Sequence, residues 1–69
     1  MGAKLIDKMA QLALQHPQMD VSDIYNALMQ SIPDADVGFV SQHYAMFLTI
    51  AREARNAPQD IKKMILESC

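Results

Sequence analysis

Three side chains in this sequence, His16, His43 and Cys69, have the chemistry of a metal ligand or a catalytic group. Imidazole nitrogens and a thiolate can bind zinc, and a cysteine beside a histidine can act as an activated nucleophile. No two of the three have the close spacing of a local metal motif, and a terminal cysteine is poorly placed to hold reacting atoms. We therefore expect no metal site, no cofactor and no catalytic residue, and we interpret both histidines as core or interface residues.

The composition of the chain predicts the scaffold that carries these residues. The chain has 69 residues, of which 51% are hydrophobic and 20% charged, so it is too apolar for an intrinsically disordered protein. A single cysteine excludes a scaffold held by disulfides. Two glycines and three prolines are too few for the many turns of an all-β fold. We predict one all-α domain over residues 1–69.

The spacing of apolar residues predicts a compact bundle of four short helices, at about residues 4–16, 21–32, 36–55 and 58–68. Proline follows the first and second helices and ends them, because the residue before a proline avoids helical geometry. The third helix is apolar over more than half of its circumference. We therefore expect it to be the central helix, in contact with all the others.

The net charge of −2 gives no overall attraction to nucleic acid or to an anionic membrane. The charge is unevenly distributed, because residues 17–51 contain four aspartates and no lysine or arginine. No apolar run approaches the roughly 18–20 residues that cross a bilayer, and no targeting segment is evident. We expect a cytoplasmic protein without a membrane partner.

Apolar residues outside the predicted core faces indicate a partner-binding surface. Helical periodicity places Leu14 and Leu66 toward solvent, where Tyr25 or Met29 could extend a patch. A chain this short buries only about 60% of its unfolded surface, so self-association would stabilise it. We expect a small non-catalytic regulatory or adaptor protein that binds another protein, or itself as a homodimer, through a helix face. The expected partner-binding residues are Leu14, Tyr25, Met29 and Leu66.

A DNA-binding regulator of the helix-turn-helix type is the alternative function. The third and fourth predicted helices would form the unit, and the basic C-terminal helix would approach the DNA. The lysines of this helix and the two arginines that flank it would contact phosphates, and its polar side chains would contact base edges. The residues that would bind nucleic acid are Arg52, Arg55, Gln59, Lys62 and Lys63. Acidic residues alternate with these basic residues, as they do on an ordinary solvated helix face. The sequence therefore leaves the DNA-binding function open.

Overall fold

The computed structural model describes residues 2–67. These residues form five α-helices and contain no strand. The helices are α1 (Gly2–Gln15), α2 (Val21–Ser31), α3 (Asp34–Gln42), α4 (Tyr44–Asn56) and α5 (Gln59–Glu67). The all-α prediction is confirmed, whereas the prediction of four helices is wrong. Residue 68, the last of the predicted fourth helix, lies outside the described range, and so does Cys69.

The predicted third helix is divided into α3 and α4 at His43, whose backbone leaves helical geometry at φ −117° and ψ 36°. The Nδ1 atom of His43 lies 2.8 Å from the carbonyl oxygen of Phe39, the acceptor that the His43 amide would use in a continuous helix. The His43 amide instead donates to the Val40 carbonyl, three residues back. The side chain therefore competes with its own backbone for the same acceptor, and the helix breaks there.

Asp20 precedes α2, and its carboxylate is bonded to a side chain of the first turn. Asp20 is the N-cap residue, with extended backbone angles, but its carboxylate makes no hydrogen bond to the helix amides. It accepts a hydrogen bond from the Ser22 hydroxyl at 2.6 Å instead. This hydrogen bond holds the pKa of Asp20 below its usual value of 3.8.

The hydrophobic core lies between α1, α2 and α4. Its buried members are Leu5, Met9, Ala13, Ile24, Tyr25, Leu28, Val40, Phe47 and Ala51. Only one of these residues, Val40, comes from α3, and none comes from Gln59–Glu67. Helix α1 packs against α2, α4 and α5, while α4 packs against α1, α2 and α3. The expectation of one central helix is therefore corrected to a central pair, α1 and α4.

No helix within residues 2–67 has both the length and the apolar character to cross a bilayer.

Candidate functional site

An open groove of about 580 Å³ runs between α1, α4 and α5, and we call it the apolar groove. Its lining residues are Ile6, Asp7, Ala10, Ala45, Met46, Thr49, Ile50, Glu53, Ala54, Ala57, Ile61 and Ile65. Nine of these twelve are apolar, and the charged exceptions are one carboxylate on α1, Asp7, and one on α4, Glu53. Surfaces of this kind accept the apolar face of another helix.

The apolar groove exists because α5 covers its neighbours incompletely. None of the residues Gln59–Glu67 is buried, and Ile61 remains 44% exposed while lining the groove. Met64 is 64% exposed and follows Ile61 by three residues, so both lie on the same side of the helix. An exposed apolar side chain therefore borders an apolar groove.

A second groove of about 360 Å³ lies between the end of α1, the end of α4 and α5. We call it the mixed groove because it combines cations with apolar side chains. Its lining residues are Ala13, Leu14, Pro17, Arg55, Gln59, Lys62 and Leu66. Leu14 is half-buried and Leu66 is 42% exposed. The structure thus brings together the two leucines that the sequence analysis placed toward solvent.

Tyr25 and Met29, the other two expected partner-binding residues, line neither groove. Tyr25 is only 8% exposed; its hydroxyl donates to the Val40 carbonyl at 3.4 Å, and its ring meets Tyr44 edge to face at 4.7 Å. Burial raises the pKa of Tyr25 above 10.0. Met29 is half-buried against the core. Both residues pack α2 against the core. Their positions on the apolar face of the helix are typical of such packing residues.

Arg55 ties the end of α4 to the end of α1. Its Nε donates to the Ala13 carbonyl at 3.1 Å, and a terminal guanidinium nitrogen donates to the His16 carbonyl at 2.7 Å. The Ala13 carbonyl lies in the last turn of α1, where carbonyls lack intrahelical amide donors. The His16 carbonyl, just beyond the helix, also accepts a hydrogen bond from the Met19 amide. Arg55 is therefore a packing residue as well as a candidate for binding.

The remaining candidates for nucleic-acid binding are divided between two environments. Gln59 and the half-buried Lys62 lie in the mixed groove, beside Arg55 and the two leucines. Arg52 and Lys63 are exposed and line neither groove. The mixed groove therefore contains some of the candidate nucleic-acid-binding residues and two of the expected partner-binding residues.

The two histidines are not core residues, which corrects that part of the sequence interpretation. His16 is exposed just beyond α1, and His43 is half-buried with its ring 4.5 Å from that of Phe39. Within residues 2–67, no three His, Cys, Asp or Glu side chains lie close enough together to hold a metal ion.

The apolar groove does not follow from the spacing of apolar residues in the sequence. Its residues lie on faces that periodicity assigns to the core, and periodicity does not show whether a neighbouring helix covers such a face. No protein-family model, curated protein or solved structure matches this chain.

Proposed function

We propose that this protein is a non-catalytic binding module that docks a helix face of a partner in the apolar groove, and that a second copy of the chain is this partner. The observation that carries the proposal is the lining of the groove, of which nine of twelve residues are apolar although the groove is open to solvent. Covering this surface would remove apolar area from water, at about 25 cal/mol per Å².

A second copy fits because an exposed side chain, Met64, and the apolar groove lie next to each other on one surface. Met64 is 64% exposed on the side of α5 that also presents Ile61 to the groove. A twofold interface brings the same patch of both copies together, so each Met64 can enter the groove of the other copy. A methionine side chain is flexible enough to fill an irregular cleft. Association would also stabilise a short chain by mass action.

Sedimentation equilibrium with Thr49→Glu tests this proposal. Thr49 is an exposed residue that lines the groove, so the substitution leaves the core intact and places a charge where the partner would bury apolar atoms. We expect a concentration-dependent dimer for the wild type and at least about tenfold weaker association for the variant, or about 1.4 kcal/mol. Met64→Glu should weaken association to a similar degree, because it replaces the side chain that would enter the groove of the other copy.

Asn26→Glu is the matched control, because Asn26 is exposed on α2 and lines neither groove. It changes the net charge by the same amount and should leave the dimer unchanged. Circular dichroism of all variants checks that they remain folded. A wild type that stays monomeric up to about 1 mM contradicts the homodimer, and so does a folded Thr49→Glu variant that associates as tightly as the wild type.

A further inference from the structure

The mixed groove offers two kinds of contact to one ligand. Arg55 and Lys62 supply positive charge, and Leu14 and Leu66 supply apolar surface. It uses other residues of α5 than the apolar groove, which Ile61 and Ile65 line. We propose that the mixed groove binds an acidic segment of a partner protein, in which an apolar side chain lies next to a carboxylate.

The geometry of Arg55 prepares it for an anion. Its two hydrogen bonds go to the carbonyls of Ala13 and His16, which are uncharged acceptors, so they do not neutralise the guanidinium. A guanidinium has five N–H donors, of which these bonds use two. The bonds also fix the side chain before a ligand arrives, which reduces the entropy lost on binding. A carboxylate can therefore accept hydrogen bonds from a cation that is already oriented.

The apolar walls favour a peptide over a nucleic acid as the ligand. Leu14 is half-buried, Leu66 is exposed, and both line the same groove as Lys62. A phosphate backbone would satisfy the charge but would leave the leucine surfaces without an apolar partner. A peptide with an apolar side chain beside a carboxylate would use both.

Fluorescence anisotropy with synthetic peptides tests the proposal on the full chain at low salt. The probe is a short labelled peptide with one leucine between glutamates, and its two companions replace the leucine by serine or the glutamates by glutamine. We expect saturable binding of the probe and at least about tenfold weaker binding of each companion. Lys62→Glu and Leu66→Ser should weaken probe binding to a similar degree.

Lys63→Glu is the matched control, because Lys63 is the next residue on α5, is exposed and does not line the groove. It makes the same change in charge and should weaken binding much less than Lys62→Glu. Thr49→Glu should bind the probe as the wild type does, since Thr49 belongs to the apolar groove. The peptide result is therefore independent of the dimer result.

Four outcomes would overturn the proposal. The first is no saturable binding of the probe up to about 1 mM. The second is equal binding of the serine companion, which would reduce the site to a general anion site. The third is an equal loss of binding in Lys62→Glu and Lys63→Glu, which would show diffuse electrostatic attraction. The fourth is displacement of the probe by random-sequence duplex DNA at lower concentration than by unlabelled probe, which would favour the nucleic-acid function instead.

Discussion

The guanidinium of Arg55 and the carbonyl of Ala13 join the last turns of α4 and α1, across 42 residues of sequence, with the Nε and the oxygen 3.1 Å apart. A helix leaves its last carbonyls without amide partners, and a cation near that end also suits the helix dipole. The same arginine reaches the His16 carbonyl just beyond α1. One side chain therefore closes the end of α1 and holds it against α4.

Arg55→Leu should lower the free energy of unfolding by about 1–2 kcal/mol, because two hydrogen bonds from a charged donor are lost. The Ala13 carbonyl then loses the Arg55 donor, whereas the His16 carbonyl still accepts from the Met19 amide. Urea denaturation followed by circular dichroism measures the change. Arg52→Leu is the control, since Arg52 is exposed on the same helix and should change stability by about 0.5 kcal/mol or less. Equal losses in the two variants would contradict the role assigned to Arg55.

Phe47→Ala should destabilise the fold by about 3–5 kcal/mol, because Phe47 is fully buried and its removal leaves a cavity. This loss is a large part of the stability of a small domain, so we expect a strongly lowered melting temperature. Phe39→Ala is a matched comparison, since Phe39 is 39% exposed and meets the Phe47 ring edge to face at 6.3 Å. Thermal denaturation should show the smaller loss for Phe39→Ala, and the reverse order would refute the packing described for the core.

Stability should fall at alkaline pH in part through Tyr25. Burial raises the pKa of Tyr25 in the folded chain above its usual 10.0, so the folded state keeps the phenol proton when the unfolded state releases it. This contribution is fully present below pH 10 and is lost as the pH rises through the raised value.

Free energies of unfolding measured between pH 8 and the alkaline limit of the fold test this expectation. The comparison is with Tyr25→Phe, whose free energy of unfolding should depend less steeply on pH because it lacks the phenol proton. Tyr44→Phe, at an exposed residue, should keep most of the steep dependence. Identical slopes for the wild type and Tyr25→Phe would rule out the proposed linkage.

The neutral ring of His43 should be the tautomer with its proton on Nδ1. Nδ1 lies 2.8 Å from the Phe39 carbonyl oxygen, and a carbonyl accepts only from a protonated nitrogen. The nitrogen chemical shifts of a ¹⁵N-labelled sample distinguish the two tautomers. His16 is exposed and serves as the internal reference. A proton mainly on Nε2 of His43 would contradict the explanation given for the break between α3 and α4.

Most of the helix boundaries follow from the local sequence. The predicted ranges 4–16 and 21–32 correspond to Gly2–Gln15 and Val21–Ser31, because a proline shortly after each helix ends it. The break at His43 does not follow from periodicity, since apolar residues continue in helical register through it. It depends on the direction of one imidazole ring, which is a property of the folded structure.

The candidate surfaces were predictable only in part. Helical periodicity selected Leu14 and Leu66 one at a time, but their proximity depends on how α5 lies along α1. Tyr25 was selected from an apolar face, and the structure places it in the core beside Val40. An apolar face has the same sequence pattern whether another helix covers it or leaves it open, and this ambiguity concealed the apolar groove.

The absence of buried side chains along Gln59–Glu67 has a consequence for how the protein opens. The number of contacts that a helix makes with the core sets the free energy of its local opening. Helix α5 is attached through the side chains that line the two grooves, and the Gln11 side chain donates a hydrogen bond to the Ile65 carbonyl. Its backbone amides should therefore exchange with deuterium through detachment of that one helix, faster than those of α1 and α4. Helices α1, α2 and α4 would then form the cooperative folding unit, and a ligand in either groove would slow exchange in α5.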